Sequence, residues 1–175
     1  MDNLLIELGK IQFIESFGRG QAGTQEKDGR EAEEMILRFF SMRSDMSDYE
    51  DVLSKYLDRF MISNQNISEH EIADLKSEFT TTLNRCMSVF DNNPFVDLTK
   101  EKPKQSLVHY DLLMWSFKSL TDEFTIANKL LIAEKFRNLC TDDRFVRTLS
   151  GGLQKKSSIL KRRELWLEKL ATING

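Results

Sequence analysis

The stretch "LVHYDLLMWSFKSL", residues 107 to 120, is apolar nearly all the way round a helical wheel. A helix of that kind has no face to give to water, so it folds only where other helices enclose it. The rest of the chain can supply the enclosure. Only 2 Pro and 8 Gly in 175 residues, with 40% apolar and 30% charged residues, fit a chain rich in helix and poor in turn-dependent β structure. A domain of this length buries roughly 70% of the surface that its unfolded chain exposes. The expectation is one all-α domain over residues 1–175, an irregular, mostly antiparallel bundle of about seven to eight helices.

The helices announce themselves by apolar spacing. Leu4, Leu5, Leu8 and Ile11 set a first helix in "NLLIELGKIQFIESFG", and Gly18 to Gly23 then stop it in a loop. "REAEEMILRFFSMR" gathers Ala32, Met35, Ile36, Phe39 and Phe40 on one face, with Glu31, Glu33 and Glu34 where carboxylates complement the positive helix end. Ser47 with Glu50, and Ser68 with Glu71, have the spacing of capping boxes and mark two further starts. Val52, Leu53, Tyr56, Leu57, Phe60 and Met61 follow the first; Ile72, Leu75, Phe79, Leu83, Cys86 and Phe90 follow the second. Pro94 and Pro103 break "FDNNPFVDLTKEKPK" into the longest connection. Beyond the central stretch, Ile126 to Leu139 form one more helix, Phe145 to Leu149 a brief one, and Ile159 to Ile173 the last.

Little of the usual catalytic chemistry is present. His70 and His109 have no second His or Cys at metal-ligand spacing, and they read as a solvated and a hydrogen-bonded structural histidine. Asp74-Leu75-Lys76 has the acid-x-Lys form of some nucleases but lies within a helical stripe, where its charges pair along the surface. No GxxxxGK[ST] loop exists, which excludes a P-loop. No cofactor is expected. Cys86 and Cys140 sit on apolar faces and read as small core residues. A net charge of -3 argues against a nucleic-acid-coated protein, though not against a local basic patch. No signal peptide and no apolar run of about 20 residues is visible, so a cytoplasmic location without membrane contact is expected.

The patch that matters is "FVRTLSGGLQKKSSILKRRELW", residues 145 to 166. If the last helix begins at Ser157 or Ser158, then Lys155, Lys156, Lys161, Arg162 and Arg163 crowd its positive end, and an anion on the free amides would offset the repulsion. Gly151 and Gly152 would let the backbone approach it. The bland alternative is that the glycines end the preceding helix while the basic side chains are solvated or paired. Arg38, set in "ILRFF", is a charge among apolar side chains whose ordinary role is a structural ion pair.

Four segments in order, "EEMILRFFSMRSD", "FTTTLNRCMSVFDNNPF", "HYDLLMWSFKSL" and "DDRFVRTLSGGLQKKSSILKRRELWLEKL", resemble the helical C-terminal portion of the GmrSD-type restriction endonuclease N-terminal domain family. "NLLIELGKIQFIESFG" is similar to the helix preceding that family's Leu-Arg-Phe-Phe segment. The resemblance implies a place in a type IV, modified-DNA restriction or phage-defence system. It also implies that Ser150, Gly151, Gly152, Lys155, Lys156, Ser157, Arg162 and Arg163 meet nucleic-acid phosphate, and that Arg38 meets a partner lobe. The family's ParB-like lobe, with its Asp-Gly-Gln-Gln-Arg signature, and its HNH nuclease cluster have no counterpart in this sequence. The expectation is therefore a non-catalytic helical module contacting DNA or a separately encoded ParB-like or nuclease subunit. The alternative is an adaptor or antitoxin-like partner that never meets nucleic acid, and Met1 standing at a helix start favours either over a fragment.

Overall fold

The computed structural model describes residues 1–22, 30–97, 100–102 and 104–173, with side chains except at residues 18–22. Within them the helices run α1 (Asp2–Gly9), α2 (Gln12–Ala22), α3 (Glu31–Met42), α4 (Leu53–Ser63), α5 (Glu69–Val89), α6 (Leu107–Phe117), α7 (Asp122–Ala127), α8 (Lys129–Cys140), α9 (Asp143–Arg147) and α10 (Lys156–Ala171). Between α5 and α6, β1 (Val96–Asp97) and β2 (Lys104–Gln105) pair antiparallel, with Val96 opposite Gln105.

The enclosed helix is α6. Val108, His109, Tyr110, Leu112, Leu113, Met114, Ser116 and Phe117 are all buried, and α3, α5 and α10 pack round them. Burying each large apolar side chain contributes about 1.5–3 kcal/mol, an advantage kept only if polar tips carried inward find partners. Most do. Tyr110 donates its hydroxyl to the Met35 carbonyl at 2.9 Å, and the Trp166 indole of α10 donates to Ser116 Oγ at 2.8 Å; the Nε2 of His109 is the exception among the described residues. Cys86 and Cys140 are buried thiols outside any disulfide, as their apolar surroundings in the sequence predict.

Local chemistry sets the ends. Ser68 and Glu71 form a complete capping box at α5, Thr121 accepts from the Phe124 amide at α7, and Asp142 accepts from the Arg144 amide at α9. Ser47 does not start a helix. Its amide donates to Asp45 instead, the next residues are drawn toward α10, and α4 waits until Leu53.

Three other expectations change in detail. The first predicted helix divides, because the Lys10 and Ile11 amides turn back to Glu7 and Leu8 at tighter spacing, and α2 runs through Gly18 to end at Ala22. The helix expected from Ile126 to Leu139 divides at Asn128, whose side-chain amide competes for the Phe124 carbonyl. Ile126 and Leu130 consequently stand in water. The short ladder of β1 and β2 occupies the connection read as irregular, and these divisions bring the described helices to ten, above the seven to eight expected. Gly23 and Pro103 lie outside the described residues.

The two serines separate by stability. Ser68→Ala removes a working cap and should cost about 1 kcal/mol, whereas Ser47→Ala should stay within about 0.5 kcal/mol, both read by urea denaturation.

Candidate functional site

The loop between α3 and α4 lies against the turn that leads into α10, and every strong polar contact between them crosses a long stretch of chain. Asp51, at φ +63°, points its carboxylate at the first amide of α10, and the Lys156 N–H donates to it at 2.5 Å. Lys156 Nζ donates to the Ser47 carbonyl at 2.8 Å, and the Tyr49 hydroxyl donates to the Gln154 carbonyl at 2.6 Å. Beneath these contacts Met42, Met46, Tyr49, Tyr56 and Ile159 make a small apolar cluster apart from the main core.

The arginines of the basic segment turn inward. Arg163 donates to the Ser44 carbonyl at 2.9 Å and to the Met42 carbonyl, which are oxygens left unpaired where α3 ends. Its guanidinium also lies 4.5 Å from the centre of the Trp115 ring. Arg162 donates to the Thr148 carbonyl at 3.1 Å and the Leu153 carbonyl at 2.6 Å, and so closes the end of α9. Both cations thus sit at the negative ends of helices other than their own. Burial pushes both guanidiniums down to about 10, which leaves them charged at neutral pH.

Arg38 is 2% exposed and forms a two-pronged pair with Asp111 of α6, one prong at 3.1 Å, with Gln154 Oε1 at 3.5 Å. Burial pulls its pKa down, but the Asp111 charge and hydrogen bond outweigh that and raise it. The chain's own acceptors therefore surround Arg38, Arg162 and Arg163, and a partner lobe or a phosphate would have to displace them. Lys161 pairs with Glu164 at 2.9 Å.

What remains open to solvent is a narrower edge. Ser150, Gly151, Gly152, Lys155 and Ser157 are exposed, and the Ser150 hydroxyl donates to the Arg147 carbonyl at 3.0 Å. Gly151 and Gly152 are left-handed, at φ +62° and +65°, a conformation that turns the chain from α9 into α10. The last helix begins at Lys156, one residue before the expected serine, and its leading amide already carries a carboxylate. The anion that the charge pattern calls for is thus present as Asp51.

Asp51, Tyr49, Asp111 and Gln154 belong to this arrangement and went unrecognised in the sequence. They lie up to 116 residues from their partners, and no local spacing marks them.

Elsewhere, the acid-x-Lys triplet is a surface feature. Asp74 pairs with His70 at 2.9 Å and Lys76 pairs with Glu7. His109 is fully buried; its Nδ1 donates to the Val96 carbonyl at 3.1 Å, and Nε2 has no hydrogen-bond partner among the described residues. Burial depresses its pKa, with Arg162 adding to the effect while Asp97 and the Val96 carbonyl oppose it. Among the described residues no three His, Cys, Asp or Glu side chains converge as metal ligands, and no helix is long and apolar enough to cross a membrane. No protein-family model, curated protein or solved structure matches the chain.

Two outcomes follow from these buried charges. Arg38→Met should cost about 3 kcal/mol by leaving Asp111 without its cation, and adding Asp111→Leu should recover part of the loss, so that a double-mutant cycle in urea shows coupling of about 1 kcal/mol or more. For His109 the folded state resists protonation that the unfolded chain accepts, so stability is full above about pH 6.5 and declines below it. Wild type should lose up to about 1.4 kcal/mol per pH unit between pH 6.5 and 5.5 more steeply than His109→Gln, measured by chemical denaturation.

Proposed function

We propose that the chain is a non-catalytic helical module of a DNA-restriction or phage-defence assembly in the cytoplasm, and that it docks on a protein subunit rather than gripping DNA. The order of the family-like segments supports the setting. One observation supports the choice of partner: the Asp51 carboxylate on the Lys156 amide, which puts a negative group where a phosphate would have to bind. Arg162 and Arg163, at 4% and 6% exposure, add no free charge to that place.

The same segment offers an apolar outer face. Leu160 and Leu167 stand seven residues apart on α10, 40% and 50% exposed, and side chains at that spacing lie on one side of a helix. A separately encoded ParB-like or nuclease subunit is the partner this reading names. Contact with DNA is the second reading, favoured by Lys155, which is exposed at the glycine turn with no ion pair among the described residues.

Fluorescence anisotropy with a labelled duplex separates the two. Binding at 200 mM salt should be weaker than about 10 µM and indifferent to Lys155→Glu; tight binding that falls steeply with salt and disappears in that variant would install the DNA reading. The product of an adjacent open reading frame with the Asp-Gly-Gln-Gln-Arg signature should co-purify with wild type and be lost from Leu160→Asp/Leu167→Asp.

A further inference from the structure

The end of α5 and the middle of α8 flank a groove of about 400 Å3. Phe90, Phe95 and Phe136 line it with Val89, Val96 and Ala133. That is the volume and lining of a small-molecule site, apolar with few polar groups. Phe136 is buried and fixed by rings on several sides, and it meets Phe90 edge to face with centres 5.4 Å apart, so that the partly exposed Phe90 ring is held in place as the wall a ligand ring would meet.

The wall after α5 is held in an unusual conformation. Asp91, Asn92 and Phe95 have φ of +50°, +63° and +68°. Asp and Asn tolerate the left-handed region, but a bulky residue stays there only when its surroundings hold it. They do so here: the Ser106 amide donates to the Phe95 carbonyl at 2.8 Å, and the Phe95 ring packs edge-on against Tyr110 at 5.1 Å. The groove is therefore built into the fold rather than left by a loose loop.

Its charges are asymmetric. Asp91 is neutralised by Lys129 at 2.7 Å, whereas the exposed Arg137 has no ion pair among the described residues. Leu130, 81% exposed, stands at the same lip. A large apolar side chain in water beside an uncommitted guanidinium is suited to a ligand with an apolar body and one anionic end.

We propose that this groove binds a small aromatic carboxylate, its ring against Phe90 and Phe136 and its carboxylate on Arg137. Carboxylate is the natural occupant of a planar guanidinium, which can donate two parallel hydrogen bonds to it. The site requires no protein partner and is independent of the docking face on α10.

Titration calorimetry with 2-naphthoate and its neutral isostere 2-naphthamide tests the assignment. Wild type should bind one equivalent of naphthoate, with naphthamide about tenfold weaker for want of the charged contact. Arg137→Gln should bring naphthoate down to the naphthamide level, and Leu130→Gln should weaken both ligands alike. Both replaced side chains are exposed, and far-ultraviolet circular dichroism checks that the variants keep the fold. The proposal is overturned if wild type shows no saturable binding, if naphthamide matches naphthoate, or if Arg137→Gln leaves naphthoate affinity unchanged. Decanoate binding more tightly than naphthoate would overturn the aromatic assignment.

Discussion

The requirement that α6 be enclosed on every side organises the molecule. A helix with apolar residues all round must draw other helices onto each face, and each polar group it carries inward must be met from outside. Tyr110 is met by the end of the first turn of α3, Ser116 by Trp166 of α10, His109 by the β1 carbonyl of Val96, and Asp111 by Arg38. These four contacts tie the rotation of α6 as well as its position to its neighbours, since they reach α3, α10 and β1. The apolar stripe supplies most of the stabilisation, and the polar tips select one arrangement from the many that a greasy cylinder would permit.

A second set of contacts ties helix ends to each other. The last carbonyls of α3 and α9 receive guanidiniums from α10, while the first amide of α10 receives a carboxylate from the α3–α4 loop. A helix end left bare in the interior exposes orphan donors or acceptors, and a charged partner from elsewhere in the chain both satisfies them and complements the helix dipole. The charge cluster at residues 155–163 looks unfavourable when considered only along its own helix. It makes sense once three separate helix ends are seen to converge on it.

Legibility in the sequence divides along the same line. What apolar periodicity and cap spacing set was readable: the stripe of α3, the capping box at Ser68 and Glu71, the enclosed character of α6 and the burial of Cys86 and Cys140. The start of α4 was misplaced because Ser47 and Glu50 have capping spacing but lie in a loop held by Tyr49 and Asp51, whose partners are more than 100 residues away. The division at Asn128 turned on one side chain choosing a backbone carbonyl, a competition that apolar periodicity does not register. For the basic segment the sequence identified the charges but left open whether an anion met them or they were solvated and paired, since the partners lie far along the chain. Arg38 showed its structural pairing in principle, with Asp111 as the unrecognised half.

The loop that presents Asp51 also constrains the order in which the chain can become native. Its links to α10 join residues 105 to 121 positions apart, so they cannot form while the polypeptide is being extended and only its first half has been made. Until the last helix emerges, the Met42 and Ser44 carbonyls lack the guanidinium that meets them, and the loop keeps its contacts with α4 but not those with α10. Closing such distant pairs comes late and slows the search for the native state, since the loop entropy must be lost before the contacts return it. A nascent chain halted before residue 156 would thus hold its N-terminal helices in an unfinished state, with the clasp that secures them still unsynthesised.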